Sequence, residues 1–137
     1  MIKIEYINNF EEVDKIADEL LSEYDNENNV KYNFNKFGFI AKQNDVTIGY
    51  LTGFSYYSEV TINNLVVLKE YRGKGIGTKL IKQVESHFKN KGFNNINLVT
   101  NEFQAPEFYK KCGYELEFVR KNKNNPKLNK YFFVKYF

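Results

Sequence analysis

The stretch that decides the fold spans residues 65–81 and reads LVVLKEYRGKGIGTKLI. It begins with four apolar residues, which predict the end of a buried strand, and it ends with apolar residues at helical spacing. Three glycines at positions 73, 75 and 77 separate the two elements. A strand that runs through a glycine turn into a helix is a typical anion site, because the first amides of the helix have no partner within it.

Both the backbone and the side chains of this loop favour a phosphate. Glycines lack the Cβ atom that would hold a phosphate away, and Arg72 and Lys74 add positive charge. The helix dipole contributes about 0.3–1 kcal/mol, whereas each charge-assisted hydrogen bond from an amide contributes about 1.5–3 kcal/mol at most. The alternative is that the glycines only make a sharp turn. Their spacing fits neither the dinucleotide fingerprint nor the Walker pattern.

The remaining pattern predicts a mixed α/β sheet. Apolar runs predict strands at residues 1–7, 37–42, 46–54, 61–68, 94–100, 114–120 and 131–137. Helical spacing predicts helices over residues 10–24, from residue 76 to a C-cap at Gly92, and over 105–112. Asn44 and Asp45 predict a hairpin turn, and Asn9 with Glu12 predicts a capping box at the first helix.

The composition favours one soluble domain, which we expect to span residues 1–137. The net charge of +3, from 20 basic and 17 acidic residues, mildly favours an anionic ligand and is too mixed to indicate nucleic acid. The single cysteine, Cys112, allows no internal disulfide and fits a reducing compartment. The N-terminus does not resemble a secretory signal, and no apolar run approaches the length of about 18 residues that spans a bilayer. We therefore expect a cytoplasmic protein with no membrane partner.

The glycine loop carries the signature of a known family. LVVLKEYRGKGIGTKLI resembles motif A of the GNAT superfamily of acetyl-CoA-dependent N-acetyltransferases. That motif is written Arg/Gln-x-x-Gly-x-Gly/Ala, and Arg72, Gly75 and Gly77 fill its three defined positions.

A second block of sequence strengthens the resemblance. Residues 103–115, FQAPEFYKKCGYE, resemble the family's other signature, in which a helical tyrosine precedes a glycine–aromatic pair. Tyr109, Gly113 and Tyr114 fill those positions. The resemblance covers roughly residues 37–137, and its two blocks occur in the strand and helix order of the family.

The resemblance implies the GNAT fold, a central and mostly antiparallel sheet flanked by helices. In that fold the sheet splays between its fourth and fifth strands, here 61–68 and 94–100, and acetyl-CoA lies in the cleft. The loop amides bind the pyrophosphate, pantetheine pairs with the edge of the fourth strand, and the amide of Val67 lies near the acetyl carbonyl. The cofactor-binding residues implied are Leu65, Val66, Val67, Arg72, Gly73, Lys74, Gly75, Ile76, Gly77 and Thr78.

The reaction implied is direct transfer, in which a neutral amine attacks the thioester and CoA leaves as a thiol. Tyr109 is the candidate general acid for the sulfur; the alternative is a core aromatic. Glu59, just ahead of the fourth strand, is the candidate general base, with Glu102 and Glu23 as weaker candidates; the alternative for each is a solvated carboxylate. Cys112 could form an acetyl-cysteine, but a small buried hydrophobe is the simpler interpretation. No metal site is expected, because the sequence has no cysteine–histidine cluster.

Glu102 marks a departure from the family. Many members place an asparagine seven residues before the tyrosine, where it holds pantetheine. This sequence has Glu102 at that position and Asn101 one residue earlier. We therefore do not expect the family's contact between this asparagine and pantetheine in this chain.

We therefore expect an acetyl-CoA-dependent N-acetyltransferase that acts on a primary amine of a small molecule in a ternary complex. The alternatives are a protein lysine or N-terminal acetyltransferase and a non-catalytic sensor of acetyl-CoA. The basic segment 120–130 is either a solvated loop or a surface for nucleic acid or an acidic acceptor, and we expect the solvated loop. Exposed strand edges are compatible with a homodimer.

Overall fold

A computed structural model describes all 137 residues, which form an N-terminal unit, residues 1–33, and a larger unit, residues 34–137. The N-terminal unit contains one helix, α1 (Glu11–Glu27). No helix of the structure combines the length and the apolar character needed to cross a bilayer.

The strand predicted at residues 1–7 is wrong, because those residues form no strand and their apolar side chains are exposed. Alternation specifies a face, but a strand also needs a neighbour for its backbone N–H and C=O groups. The predicted capping box is also replaced: the Asn9 side chain accepts a hydrogen bond from the Glu11 amide at 3.1 Å, and Phe10 is the N-cap residue. Helix α1 has the predicted apolar positions, but none of them is buried.

The larger unit is a six-stranded mixed sheet flanked by helices. Its strands are β1 (Asn35–Gln43), β2 (Val46–Tyr56), β3 (Glu59–Val67), β4 (Asn95–Asn101), β5 (Glu115–Arg120) and β6 (Lys130–Tyr136). Its helices are α2 (Ile76–Phe88) and α3 (Glu107–Lys111), and the short 3₁₀ turns are Lys69–Tyr71, Glu102–Gln104 and Pro126–Leu128. The strand order is β1-β2-β3-β4-β6-β5, and only the β3–β4 pair is parallel. The expected mostly antiparallel sheet is therefore confirmed.

The β1–β2 turn and the end of α2 are both determined by the local backbone conformation. The β1–β2 hairpin turns at Asn44 and Asp45, which have φ of 51° and 65°, as their tolerance of the left-handed region predicts. The predicted C-cap of α2 at Gly92 is wrong, because the helix ends at Phe88. The C-cap residue Lys89 is already extended, with ψ of 138°, and Asn90 then adopts a left-handed φ of 60°, so the chain leaves the helix about one turn before Gly92.

Helix α2 attaches to the sheet through one apolar face. Its buried residues are Leu80, Ile81, Val84 and Phe88. They pack in one cluster with inward-facing sheet residues that include Leu51, Val60, Ile62, Ile96, Leu98 and Phe133. Burying these side chains contributes about 1.5–3 kcal/mol each, and it fixes the N-terminus of α2 at the end of β3.

The sheet splits between β3 and β4. The two strands pair only from Glu59–Ile62 against Asn95–Leu98, so the later residues of β3 have no partner on that side. A register shift on the other side of β3 places Asn63 as an extra residue in the ladder with β2. Such a bulge bends its strand, and the splay expected between these two strands is confirmed.

Candidate active site

A cleft of about 490 Å³ lies beside the free end of β3, between the glycine loop and α3. Its lining residues are Leu65, Val67, Tyr71, Arg72, Gly73, Gly75, Ile76, Gly77, Thr78, Gln104, Ala105, Phe108 and Tyr109. The structure thus brings both sequence blocks, 65–81 and 103–115, to one site.

The loop offers a row of unbonded backbone donors. Lys79 is the first residue of α2 whose amide finds an acceptor, the Gly75 carbonyl at 3.0 Å, and the amides of residues 73–78 donate to no protein group. Gly73 and Gly75 have φ of 76° and 80°, which side chains rarely adopt, and the position of a Cβ on either would meet no atom within 4 Å. Free amides at a helix N-terminus beside open space can bind an anion.

Gly77 has a different purpose, which sequence reasoning missed. A Cβ at Gly77 would lie 3.1 Å from the ring of Phe108, so this glycine lets α2 and α3 approach closely. Phe108 in turn contacts the neighbouring Tyr109 ring edge-on, at 5.2 Å between centroids. Nothing in the motif alone separates a glycine needed for a ligand from one needed for packing.

The two cations of the loop lie on different sides. The Arg72 side chain lines the cleft, and its Nε donates to the Val67 carbonyl at 3.0 Å, which ties the loop to the end of β3. The Lys74 ammonium lies over the Tyr71 ring, 5.4 Å from its centroid, and lines a neighbouring cleft instead. Arg72 therefore both stabilises the loop and places a positive charge beside the loop amides.

The exposed edge of β3 presents further donors to the cleft. The Leu68 amide donates to the Ile48 carbonyl of β2 at 2.9 Å. Because successive amides of a strand point to opposite sides, those of Leu65 and Val67 point to the split edge, where β4 no longer pairs. Val66 has its backbone directed at β2, and its side chain does not line the cleft.

Tyr109 lies at the cleft wall on α3, packed against Phe108 and Phe133. Its residue is 9% exposed, and no protein group hydrogen-bonds with its hydroxyl. Burial, with a smaller contribution from the Cys112 thiol, raises the pKa of Tyr109 to about 12. The hydroxyl is therefore a neutral donor without a protein partner, on a residue that lines the cleft.

The structure does not bring Glu59 together with Tyr109. Glu59 begins β3, six residues before Leu65, and this separation corresponds to roughly 20 Å along a strand. It lines a separate depression of about 200 Å³, and its carboxylate accepts a hydrogen bond from Asn95 at 3.0 Å.

Glu102 has a structural role in the 3₁₀ turn that precedes α3. Its carboxylate accepts hydrogen bonds from Asn129 and Tyr131, each at 3.2 Å, and these fasten the 3₁₀ turn to β6. Gln104, rather than Glu102, lines the cleft, and its Oε1 accepts from the Asn101 amide at 3.0 Å. Sequence reasoning missed Gln104, although the Asn-x-x-Gln spacing of a capping box could have indicated it.

Cys112 fits the packing interpretation. The thiol packs against the core cluster, and burial raises its pKa, an effect that a hydrogen bond with Thr78 only partly offsets. A raised pKa lowers the thiolate fraction, and the thiolate is the nucleophile. Cys112 therefore lacks the activation that an acetyl-cysteine route would need.

A split mixed sheet, with a free glycine loop at the head of a helix, defines an α/β domain with an anion-binding cleft. The chain belongs to the acetyltransferase (GNAT) family, whose model matches residues 4–114.

Two curated relatives illustrate the range of the family. The thialysine N-epsilon-acetyltransferase of Mus musculus is 33% identical over 78 residues, which are 52% of this chain and 46% of the relative. The ribosomal protein bS18-alanine N-acetyltransferase of Haemophilus influenzae is 30% identical over 81 residues, 58% of this chain and 56% of the relative. The chain thus spans about half the length of these curated relatives.

Solved structures share the fold. An acetyltransferase from Bacillus cereus superposes with a TM-score of 0.81 at 27% identity and covers 98% of both chains. An aminoglycoside 6'-N-acetyltransferase complexed with coenzyme A superposes with a TM-score of 0.64 at 21% identity, over 74% of this chain and 72% of the other.

Proposed function

We propose that this chain is an N-acetyltransferase that transfers the acetyl group of acetyl-CoA to a primary amine. The observation that carries the proposal is the meeting of three unsatisfied donor sets in one cleft: the amides of residues 73–78, the split edge of β3, and the Tyr109 hydroxyl. Family membership supports it, as does the CoA found with a solved relative of the same fold.

Each donor set fits one part of the cofactor. The loop amides and Arg72 bind the pyrophosphate by charge-assisted hydrogen bonds. The pantetheine amides pair with Leu65 and Val67 as an added strand would. The Val67 amide then lies where the acetyl carbonyl develops negative charge, and a fixed donor there lowers the barrier.

Tyr109 donates a hydrogen bond to the sulfur as the C–S bond breaks. A complete proton transfer from a phenol with a pKa of about 12 to a thiolate with a pKa of about 8.5 is uphill by roughly 3.5 pKa units, on the order of 5 kcal/mol. A thiolate of that pKa leaves without full protonation, so a hydrogen bond that strengthens in the transition state is sufficient. The amine attacks in its neutral form, and the extra proton that it loses after attack passes to the departing thiolate, so that CoA leaves as a thiol.

For the acceptor we propose a small molecule with a primary amine. The mouse relative named for thialysine and the solved aminoglycoside enzyme favour this class. The Haemophilus relative, named for an alanine of a ribosomal protein, favours protein N-termini as the second candidate. Glu59 is not assigned the proton abstraction, because it lies in a different cavity from Tyr109.

Thiol release from acetyl-CoA tests the proposal across three acceptor panels: lysine-like diamines, aminoglycosides and N-terminal peptides. We expect release with at least one small amine. Tyr109→Phe should lower kcat by about 100-fold, within the range for loss of a general acid or transition-state donor, with the CoA Kd within twofold of wild type.

Tyr114→Phe is the matched control. Its hydroxyl is buried without a partner and does not line the cleft, so its removal should leave kcat unchanged. Binding of acetyl-CoA without release on any panel would identify a sensor, and absence of binding would overturn the proposal altogether.

A further inference from the structure

The connection between β5 and β6, with the strand residue at each of its ends, is strongly basic. We call residues 120–130 the basic loop; it contains no acidic residue and five cations, which are Arg120, Lys121, Lys123, Lys127 and Lys130. The five charges exceed the net charge of +3 of the entire chain, so the rest of the chain is on balance acidic. All five residues are exposed, and none of them forms an ion pair. Their charges are therefore available to a ligand.

Asparagine side chains fix the backbone of the basic loop. Asn122 Oδ1 accepts hydrogen bonds from the amides of Asn124 and Asn125, at 3.0 Å and 2.9 Å. Asn125 Oδ1 accepts from the Lys127 amide at 3.1 Å, and Asn129 Oδ1 accepts from the Asn122 amide at 2.7 Å. Short polar side chains commonly bond to nearby amides in this way. Because the backbone is already ordered, less conformational entropy is lost when a ligand binds to it.

The basic loop is attached to the 3₁₀ turn before α3, which forms part of the cleft wall. The Glu102 amide donates to the Asn129 carbonyl at 2.9 Å, and the Asn129 side chain donates to the Glu102 carboxylate at 3.2 Å. The turn Pro126–Leu128, which includes Lys127, therefore lies beside the turn that holds Gln104, a lining residue of the cleft. No residue of the basic loop lines the cleft itself. The loop thus lies at the rim of the cleft.

The position at the rim favours recognition of the acceptor over recognition of nucleic acid. Residues 121–130 contain no aromatic side chain on which a base could stack. The proposed binding of acetyl-CoA uses the glycine-loop amides and the β3 edge, which leaves this part of the rim for the acceptor. The rest of an acceptor whose amine reacts beside Tyr109 extends out of the cleft towards the rim. Lysine ammonium groups there attract a carboxylate and repel a second ammonium group.

We propose that the basic loop selects acceptors that carry a carboxylate in addition to the reacting amine, and that Lys123 and Lys127 contribute this selectivity. An amino acid and an acidic peptide would both supply this chemistry. The inference rests on the proposed acetyl transfer to a primary amine, and it narrows the class of acceptor. Amines without a carboxylate, such as diamines and aminoglycosides, are the disfavoured class.

Acetylation of two matched acceptor pairs tests the proposal. The first pair is lysine and 1,5-diaminopentane, which is lysine without its carboxylate. The second pair is the peptide Ala-Asp-Asp-Phe and its neutral counterpart Ala-Asn-Asn-Phe, so the two pairs distinguish a free amino acid from a peptide. At low salt, the carboxylate-bearing member of at least one pair should have a KM about fivefold lower, because one exposed charge pair contributes up to about this factor. Sodium chloride at about 0.5 M should reduce the preference, because the ions screen exposed charges.

Variants with and without the loop charges locate the effect. Lys123→Ala/Lys127→Ala should remove the preference and leave both the kcat on the neutral member and the midpoint of urea unfolding unchanged. Lys123→Arg/Lys127→Arg, which keeps the charges, should keep the preference. The matched control is Lys89→Ala/Lys91→Ala, which removes two exposed charges at the C-terminal end of α2. That helix has 13 residues and is roughly 20 Å long, so these charges lie far from the cleft, and the preference should persist.

The outcomes separate this inference from the proposed function. Equal KM values within both pairs in wild type would overturn the inference, as would a preference that survives in Lys123→Ala/Lys127→Ala or disappears equally in the control. Acetylation of diamines and aminoglycosides alone would overturn it too. Tight binding of a single-stranded oligonucleotide that the same variant loses, without any preference among acceptors, would assign the loop to nucleic acid instead. Binding of acetyl-CoA without acetylation of any amine would reject the proposed function itself.

Discussion

Substitution of Gly75 by alanine should change both the free energy of unfolding and the affinity for CoA, and the two effects can be measured separately. Gly75 is the N-cap of α2 with φ of 80°, where an alanine costs about 1–2 kcal/mol. No atom lies within 4 Å of the added Cβ in the protein, so no clash adds to this cost. A bound diphosphate would occupy that open space, and loss of one amide contact of about 1.5–3 kcal/mol corresponds to at least tenfold weaker binding.

Gly92→Ala supplies the matched control, because Gly92 has φ of 86°, also has no neighbour within 4 Å of the added Cβ, and lies in the turn before β4. Urea unfolding without ligand should show similar losses of about 1–2 kcal/mol in both variants. Calorimetric titration with CoA should show weaker binding only in Gly75→Ala. Unchanged affinity in Gly75→Ala would refute diphosphate binding by the loop, and equal weakening in Gly92→Ala would attribute the effect to stability alone.

Three further predictions concern Tyr109 and its packing. Burial raises the pKa of Tyr109 to about 12, so the hydroxyl stays protonated below that pKa. The pH profile of kcat should therefore show no loss due to Tyr109 up to about pH 11. A fall in kcat with an apparent pKa near 10 that disappears in Tyr109→Phe would contradict this. The same shift lowers folded-state stability as the pH rises from about 10 to 12, because the unfolded chain releases the tyrosine proton first. Gly77→Ala should favour the helix by about 1 kcal/mol but overpack Phe108 at 3.1 Å, at about 1–3 kcal/mol. Urea unfolding should show a net destabilisation of about 0–2 kcal/mol. The fall in kcat should be larger than this loss of stability explains, because Phe108 packs on Tyr109. A kcat equal to wild type would show that this contact does not position the tyrosine.

The parts of the fold that the sequence predicted well are those decided by local chemistry. Asn44 and Asp45 turn the hairpin because they tolerate positive φ, and Gly75 opens α2 for the same reason. The strand predicted at residues 1–7 failed because it depended on a distant partner, whereas the C-cap predicted at Gly92 failed for a local reason, the early end of α2 at Phe88. Residues 1–7 alternate as a strand would, but the structure gives their backbone no neighbouring strand.

The same distinction between local and distant interactions applies to the residues of the candidate site. Tyr109 and the loop residues of the motif line one cleft, because a strand, a turn and a helix hold them in sequence order. The close contact of Gly77 with Phe108 could not be predicted, since it depends on how α3 packs against α2. Gln104 was missed although the local Asn-x-x-Gln spacing could have indicated it. Glu59 looked close to the site along the chain, but the length of β3 separates it from the loop.

The split in the sheet links the fold to the proposed chemistry. An open strand edge with unpaired N–H groups readily pairs with another chain, and buried donors without partners are costly. The bulge at Asn63 and the loss of pairing after Ile62 expose such donors at Leu65 and Val67, within one cavity of the Tyr109 hydroxyl. A second protein strand there would leave the loop amides without a partner. A ligand with amide groups at one end and a diphosphate at the other satisfies both sets at once, which is why we propose a CoA thioester rather than a peptide for this cleft.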